Sequence, residues 1–373
     1  MLIVRAMVVM SSVVAAGITV FAGARQQVPQ TTPAPAGVSG TGAASTAAAA
    51  APPTATAQLL TAPLVSFDDF LAGVAREALA RGISQATIDL ALTGLTPEPV
   101  VVTRDRAQPE TTLSLDAYVA RSLTRTLIAT ARREATRQAS LLERVHGTYG
   151  VPPPVVMALW GIESNFGKFT GTYPTVRALA TLAYDGRRPL FRDELFAALS
   201  IVDREQVAPD RLKGSWAGAM GQPQFMPSSF LTHAVDFDGD GRIDIWTTTA
   251  DVFASMGNFL RNKGWQAGER WGREVAVGRA AMTRIDREIA MRTQGCRAER
   301  AMTVARPLAA WRALGVTLPS GVPLPAASIA ASLVRGERRN FLVYENYEAL
   351  LDYNCSSAYA ITVGLLSDRI ASP

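Results

Sequence analysis

The chain contains 373 residues, 48% of them hydrophobic, and its 37 Lys and Arg against 32 Asp and Glu give a net charge of +5. This length allows one large folded domain or two modest ones, and the positive charge is not gathered into an arm of the kind that binds nucleic acid. The two histidines (His146, His233) and two cysteines (Cys296, Cys355) argue against His/Cys zinc sites and Ser-His-Asp chemistry. Catalysis must therefore depend on carboxylates, amides, hydroxyls and arginines.

Residues 1–24 have the pattern of a secretory signal peptide. Arg5 precedes an apolar run that ends in Ala-Gly-Ala at residues 22–24, an A-x-A cleavage pattern. The alternative is an uncleaved membrane anchor, since the run approaches the length that spans a bilayer. No cysteine directly follows the run, so we expect a periplasmic protein without a lipid anchor. Export would also permit a disulfide between Cys296 and Cys355, although the sequence does not show that they meet.

Residues 25–63 are rich in Ala, Pro and Thr and have almost no charged or large apolar side chains. Such a segment buries too little surface to offset the entropy of ordering it, which predicts a disordered linker. Folded sequence is expected over residues 64–373. Helix caps are predicted at Ser66 and Ser84, followed by a long helical region over residues 114–146.

Four later segments also have helical spacing of their apolar residues, whereas convincing β-alternation is scarce. The helical segments are VPPPVVMALWGIESNFG, PTVRALATLAYDG, PLFRDELFAALSIVDRE and ADVFASMGNFLRNKGW, and the best strand candidate is RWGREVAVGRAA. The prolines at 152–154 suit the first turn of a helix. The predicted fold class is therefore mostly α.

Glu163 stands among apolar and small residues in the segment ALWGIESNFGKFTG. Trp160 and Phe166 lie three residues to either side, close to its face of the predicted helix. Burial beside aromatic rings disfavours the ionised carboxylate and raises its pKa, so the glutamate can hold and donate a proton at neutral pH, as general acids in sugar cleavage do. The alternative is a surface glutamate paired with Lys168 or Arg177.

A second segment, RLKGSWAGAMGQPQFMPSSF at residues 211–230, mixes glycines, neutral polar residues and aromatics. This mixture suits a sugar, which has apolar faces and an edge of hydroxyl and acetamide groups. The alternative is a structural glycine-rich loop that leads into a helix. The neutral hydrogen-bonding residues are Ser215, Gln222, Gln224, Ser228 and Ser229, and the apolar ones are Trp216, Phe225 and Met226.

A third segment, DFDGDGRIDIW, resembles the first half of an EF-hand loop, with aspartates at alternate positions and glycine at the sixth. Thr247 replaces the usual glutamate at the twelfth position. Crowded carboxylates repel one another without a cation, which favours a structural Ca²⁺; the alternative is an acidic turn with no ion. The candidate ligands are Asp236, Asp238, Asp240, the carbonyl of Arg242, and Asp251.

These segments, followed by NYEALLDYNCSSAYAI, occur in the order found in the membrane-bound lytic murein transglycosylase B family, which the chain resembles from about Phe67 to Ile370. The resemblance implies a lysozyme-like helical catalytic domain, with its core at about residues 140–265, an inserted EF-hand-like loop and extra helical segments. It also implies non-hydrolytic cleavage of the β-1,4 bond between N-acetylmuramic acid and N-acetylglucosamine in peptidoglycan, which leaves a 1,6-anhydromuramic end.

The same resemblance implies that Glu163 is the single catalytic acid/base and that catalysis needs no cofactor. The residues that match sugar-binding positions of the groove are Ser215, Gln224, Tyr353, Asn354, Tyr359, Arg187, Arg188 and Tyr118. We expect a monomer that binds peptidoglycan glycan strands, does not bind nucleic acid and can join cell-wall enzyme complexes. Two alternatives remain open: a hydrolytic muramidase, and a non-catalytic wall-binding protein in which Glu163 is structural.

Overall fold

A computed structural model of the chain describes residues 65–107, 113–204 and 206–372. The predicted signal peptide (1–24) and linker (25–63) lie outside these described residues. From Ser66 onward the described residues belong to one unit, and they form sixteen helices and seven short strands. None of the helices in this described part is both long and apolar enough to cross a membrane.

The helices are α1 (Phe67–Ala80), α2 (Gln85–Leu92), α3 (Pro99–Arg106), α4 (Leu115–Ser122), α5 (Arg125–Arg137), α6 (Ala139–Tyr149), α7 (Pro153–Ser164), α8 (Thr175–Asp185), α9 (Leu190–Asp203), α10 (Pro227–His233), α11 (Thr249–Asn262), α12 (Arg279–Glu288), α13 (Arg297–Arg300), α14 (Leu308–Ala313), α15 (Glu345–Tyr353) and α16 (Ser357–Ala371). The strands are β1 (Tyr173–Pro174), β2 (Lys213–Gly214), β3 (Gly272–Val277), β4 (Arg306–Pro307), β5 (Val316–Thr317), β6 (Ala330–Arg335) and β7 (Asn340–Val343).

The first helices begin at the side-chain caps that the sequence predicts. Ser66 and Ser84 each accept a hydrogen bond from the backbone N–H three residues later, at 3.1 and 3.2 Å. The region 114–146, predicted as one long helical stretch, is divided among α4, α5 and α6. The hydroxyl of Thr124 accepts a hydrogen bond from the N–H of Leu127 at 3.1 Å, and this cap starts α5 afresh after α4 has ended.

Helix α7 runs through the middle of the main core. Its residues from Val155 to Ser164 are all buried, and α5, α6, α11 and α16 pack against it. Pro153 and Pro154 occupy its first turn, where a missing N–H removes no helical hydrogen bond. A helix that is apolar on all sides is stable only in such a core, so a carboxyl group near its end is enclosed by protein.

Five of the strands form an antiparallel sheet in the order β4-β6-β7-β3-β5, and the sequence predicts only β3 among them. In the centre of the sheet Leu342 of β7 lies opposite Leu333 of β6. Strands β4 and β5 have two residues each, and β6 is buried at four consecutive positions. These strands therefore lack the alternating pattern that identifies a half-buried strand.

A second, smaller core fills the space between this sheet and helices α12 and α14. Trp311 is fully buried there, and its indole N–H donates to the carbonyl of Ala331 at 3.0 Å. A disulfide joins Cys296, at the start of α13, to Cys355, in the turn between α15 and α16, with Cα atoms 6.4 Å apart. The two cysteines do meet in the folded chain.

Candidate active site

Glu163 occupies the last turn of α7, and only 6% of its surface is exposed. The rings of Trp160 and Phe166, one turn to either side in sequence, pack edge to face with centroids 5.4 Å apart. Burial raises the pKa of Glu163 to about 8, and a hydrogen bond from Tyr359 opposes part of the rise. The carboxyl group is therefore mostly protonated at neutral pH.

The chain leaves α7 through a turn in the left-handed region. Asn165, Phe166 and Gly167 have φ angles of 50°, 60° and 78°. The hydroxyl of Ser164 accepts from the N–H of Gly167 at 3.0 Å, which satisfies a backbone donor inside the turn. Positive φ at non-glycine residues, a bulky phenylalanine above all, is strained and concentrates at functional sites.

Tyr359 contacts the acid from the facing helix. Helix α16 packs along α7, and the phenolic hydroxyl of Tyr359 donates a hydrogen bond to Oε1 of Glu163. Lys168 and Arg177, which the sequence offers as alternative partners of Glu163, do not take this role. Arg177 pairs with Glu98 at 3.2 Å, and Lys168 is exposed.

Two further phenols lie in this network. The hydroxyl of Tyr353, at the end of α15, donates to the carbonyl of Pro223 at 2.7 Å. Burial, and then the charge of Glu163, raise the pKa of Tyr353. The same two causes come first in raising the pKa of Tyr359, and Tyr353 and Tyr118 add to them. Helices α15 and α16 thus each bring a phenol close to the acid, and Tyr118 of α4 lies near the second of them, Tyr359.

The glycine-rich segment forms a tight double turn beside α7. Strands β1 and β2 pair as a short ribbon, and a Cβ atom on Gly171 would lie 1.9 Å from the carbonyl carbon of Gly214, so this approach requires glycine. The hydroxyl of Ser215 accepts from the N–H groups of Ala217 and Ala219 at 3.3 and 3.1 Å. Neither bond uses the hydroxyl hydrogen of Ser215.

Gln224 adopts a positive φ of 53° at the second bend of this segment. Its side-chain amide donates to the carbonyl of Gly221 at 2.7 Å, and the residue is half-buried. Ser215 and Gln224 are therefore both accessible in part and are both fixed by local hydrogen bonds.

The prediction of an apolar sugar-binding surface in this segment is wrong for the three apolar side chains to which it was assigned. Trp216, Phe225 and Met226 are 3%, 2% and 6% exposed and belong to the main core. The ring of Phe225, for example, packs against Phe259 with centroids 5.6 Å apart. A stretch rich in aromatic and polar residues predicts a groove and a core equally well.

Gln222, predicted among the sugar-binding amides, is a buried link within the protein. Its Oε1 accepts from the indole N–H of Trp160 at 2.6 Å, and its Nε2 donates to the carbonyl of Trp246 at 2.8 Å. This side chain fastens the double turn to α7, one helical turn before Glu163.

A second buried glutamate, Glu194 of α9, was missed by the sequence reasoning. Its carboxylate accepts from the N–H and hydroxyl of Ser228 at 2.9 and 2.7 Å and so caps the start of α10. Burial raises the pKa of Glu194. Its apolar neighbours in the segment LFRDELFAAL are the same signal that singles out Glu163. Ser228 thus supports the fold, and Ser229 is half-buried beside it.

Arg187 and Arg188 lie in the loop between α8 and α9 and share one buried partner, Asp105 of α3. Arg187 forms an ion pair with its carboxylate and also donates to the carbonyl of Asp105 at 2.7 Å, while Arg188 approaches the other carboxylate oxygen at 3.3 Å. Their side chains remain 44% and 31% exposed. Asn354 is half-buried, and its N–H donates to the carbonyl of Leu350 at 3.1 Å.

Three of the predicted metal ligands converge. Carboxylate oxygens of Asp236, Asp238 and Asp251 lie within 4.8 Å of one another. Burial raises the pKa of Asp251, and the charges of the other two add to this rise. Asp240 instead accepts from the N–H of Arg242 at 2.8 Å. An all-oxygen set of crowded carboxylates fits Ca²⁺, which relieves their repulsion.

The profile of the family described as transglycosylase SLT domain matches residues 66–368. The chain belongs to this family. Over 131 residues it is 42% identical to the membrane-bound lytic murein transglycosylase B of Escherichia coli K12. That alignment covers 35% of this chain and 36% of the relative, so the chain matches about a third of the relative's length. The resemblance predicted from the motifs is confirmed.

Solved structures of the family share the fold. SltB3 of Pseudomonas aeruginosa in complex with NAG-NAM-pentapeptide has a TM-score of 0.74 at 40% identity, over 83% of this chain and 80% of that one. Its complex with NAG-anhNAM-pentapeptide has a TM-score of 0.72 at 40% identity, over 81% and 79%. The Escherichia coli lytic transglycosylase Slt35 in complex with calcium has a TM-score of 0.67 at 26% identity, over 81% and 92%. These matches confirm the predicted lysozyme-like helical class.

Proposed function

We propose that this protein is a peptidoglycan lytic transglycosylase, which cleaves the β-1,4 bond between N-acetylmuramic acid and N-acetylglucosamine and leaves a 1,6-anhydromuramic end. The observation that carries the proposal is the buried, protonated carboxyl group of Glu163, hydrogen-bonded to Tyr359. Membership of the transglycosylase SLT domain family supports it. The related SltB3 binds both a NAM and an anhNAM muropeptide, which supports the anhydro product.

In the first step, Glu163 donates its proton to the glycosidic oxygen as the bond from that oxygen to C1 of muramic acid breaks. The freed N-acetylglucosamine leaves with a hydroxyl group. The carbonyl of the 2-acetamido group of muramic acid stabilises the positive charge at C1. A raised pKa suits this role, because the acid must hold its proton until the glycosidic oxygen takes it.

In the second step, the Glu163 carboxylate removes the proton from the C6 hydroxyl of the same muramic acid while that oxygen attacks C1. The ring closes as the 1,6-anhydro sugar, Glu163 regains its proton, and no water is consumed. Intramolecular attack has a large effective concentration, which favours it over hydrolysis. One carboxyl group suffices, and the groups that couple to Glu163 are phenols.

The glycan strand is the proposed partner, held by the partly exposed polar residues described above. The hydroxyl hydrogen of Ser215 and the amides of Gln224 and Asn354 suit the acetamide and hydroxyl groups of the sugars. Tyr353 and Tyr359 border the acid, and Tyr118, which acts on Tyr359, would line the same groove. Arg187 and Arg188 suit anionic groups of the substrate. The protein acts on this strand as a monomer and can join other wall enzymes.

We also propose a structural Ca²⁺ ion. Asp236, Asp238 and Asp251 would hold it, with Asp240 and the carbonyl of Arg242 completing an EF-hand-like loop, and the ion would fix the loop to the start of α11. Catalysis itself requires no cofactor. Export to the periplasm through the segment 1–24, with 25–63 as a flexible tether, is consistent with the disulfide.

The experiment that tests the function is mass spectrometry of purified peptidoglycan after digestion. A lytic transglycosylase produces anhydro ends, each one water lighter than the reducing ends that a hydrolytic muramidase produces. Glu163→Gln serves as the blank. Reducing ends in the wild-type digest would make the protein a muramidase, and binding without any product would make it a non-catalytic wall protein.

A further inference from the structure

The turn between α15 and α16 carries two of the phenols around the acid. Tyr353 ends α15 with its hydroxyl on the carbonyl of Pro223, and Tyr359, in the first turn of α16, donates to Glu163. Between them the hydroxyl of Ser356 caps α16 by accepting from the N–H of Tyr359 at 3.3 Å. A shift of this short segment would therefore move both phenols relative to the carboxyl group.

Cys355 lies inside this turn, and its disulfide partner lies in another part of the fold. Cys296 is the cap of α13, between α12 and β4, where the carboxylate of Glu299 accepts a hydrogen bond from its N–H. The N–H of Ala298 points at the sulfur of Cys355, at 3.5 Å. Helix α13 also packs against α15. The covalent bond thus ties the turn to the sheet region, 59 positions away in the sequence.

We infer that the 296–355 disulfide is a positioning element of the active site, which holds Tyr359 against Glu163 and keeps the carboxyl group enclosed. This inference rests on the proposed function. The bond fixes the turn to α13, and α16 packs along α7, so the segment that carries the phenols is held at both of these contacts. Preorganisation of this kind matters because small displacements at a reacting centre cost a large part of the rate.

The pKa of Glu163 is expected to report on whether the disulfide holds the turn in place. The titratable side chains that interact with Glu163 are the phenols of Tyr359, from α16, and Tyr353, from α15, and Tyr118 of α4 acts in turn on Tyr359. Burial is the larger influence on the pKa of Glu163, and the Tyr359 hydrogen bond opposes it. A loosened turn admits water as well as breaking the hydrogen bond, so the net pKa of Glu163 falls.

The experiment compares oxidised and reduced wild-type protein, because the chain has only two cysteines and a reductant acts on this bond alone. Cys296→Ser removes the same bond while leaving the sequence of the turn intact. In both cases we expect kcat to fall about tenfold, within the ~100-fold that a 1 Å misplacement can cost, with a smaller change in KM. The alkaline limb of the pH–rate profile moves to lower pH.

Two controls isolate the bond. The reductant has no effect on Cys296→Ser, and Glu299→Gln, which perturbs the cap of α13 but keeps the disulfide, retains the wild-type pH profile. Circular dichroism verifies that each protein is folded at the assay temperature. A reduced protein that melts earlier but keeps kcat and the alkaline limb would show that the disulfide only stabilises the fold.

A second measurement does not depend on turnover. The titration of the Glu163 carboxyl group is followed by infrared difference spectroscopy, with Glu163→Gln as the blank, in oxidised and reduced protein. We expect a lower pKa after reduction, and equal values overturn the inference. If the oxidised protein forms no product, the proposed function fails, while this titration still decides whether the disulfide positions the acid.

Discussion

The hydroxyl of Tyr359 donates a hydrogen bond to the carboxyl group of Glu163 across the contact between α16 and α7. The two effects on the acid oppose each other: burial favours the protonated form, and the phenol favours the ionised form. Their balance leaves a proton on the carboxyl group at neutral pH, yet provides a donor that stabilises the carboxylate after the proton has been given away. The first step of the proposed reaction requires the protonated acid, and the second step requires the stabilised carboxylate.

Glu163→Gln is expected to abolish cleavage of peptidoglycan, because glutamine neither donates nor accepts the proton. The loss should reach at least ~10²–10⁴-fold in kcat, the usual contribution of a general acid/base. Binding to sacculi, measured by cosedimentation, should survive. Glu194→Gln is the matched control, since Glu194 is also buried but caps α10. Residual turnover of Glu163→Gln at the wild-type rate would remove the proposed role.

Tyr359→Phe should move the alkaline limb of activity to higher pH. Removal of the phenolic donor leaves burial unopposed, so the pKa of Glu163 rises further. Because the protonated acid starts the reaction, activity then persists to a higher pH, while kcat falls as the carboxylate loses its donor. Tyr184→Phe is the control, as this tyrosine packs against Phe67 of α1. A limb that moves to lower pH contradicts the assigned effect of the phenol.

The acid should reduce the stability of the fold at alkaline pH. Between the ordinary pKa of 4.5 and the folded-state pKa of about 8, the native protein holds a proton that the unfolded chain releases, so stability falls as pH rises through this window. Glu163→Gln should therefore be more stable than wild type at pH 8, by up to about 4 kcal/mol, and equally stable at pH 4. Urea denaturation at both pH values measures the difference, and a constant difference contradicts the raised pKa.

Calcium should stabilise the protein through the three converging aspartates. At a concentration a hundred times its Kd, the ion adds about 2.7 kcal/mol to the free energy of unfolding, and chelation removes this gain. Asp238→Asn should diminish the shift in Tm, because it removes a ligand charge from an exposed position. Asp185→Asn, which breaks a pair with Arg106, should not. If Ca²⁺ leaves the wild-type Tm unchanged, the acidic turn holds no ion.

Gln222→Leu should destabilise the protein by about 1–3 kcal/mol, because the buried indole N–H of Trp160 loses its acceptor. Gln266→Leu is the surface control, since Gln266 is exposed. Denaturation midpoints at a single pH compare the two variants. Equal stabilities of the two would show that the amide of Gln222 contributes nothing to fastening the double turn to α7.

Local patterns in the sequence predict those parts of the site that lie close together along the chain. The apolar flanks of Glu163 predict a buried acid, since the residues that determine the pattern, Trp160 and Phe166, are each only three positions from it. The hydrogen-bond partner of Glu163 does not follow from such a local pattern. Tyr359 is 196 positions away, so no local spacing connects the two, and only the family resemblance suggested that Tyr359 borders the groove.

The failures of sequence reasoning have physical causes as well. Trp216 and Phe225 were assigned to a sugar-binding surface because an aromatic ring stabilises a core and a sugar by the same apolar contact. Strands β4 and β5 escaped prediction because two residues are too few to show a period. Both errors involve features that only the packing of distant segments decides.

The separation of Glu163 from Tyr359 along the chain also has a consequence for when the proposed acid is ready to donate its proton. In a chain whose α16 has not yet docked, Glu163 lacks the burial that this helix supplies as well as the Tyr359 hydrogen bond, and because burial is the larger influence its pKa is lower. Under the proposed mechanism, such a chain is a poorer proton donor at neutral pH and is expected to cleave glycan more slowly. The proposed cleavage activity is therefore expected only of the completed fold, in which the last helix of the chain, α16, packs along α7 beside the acid.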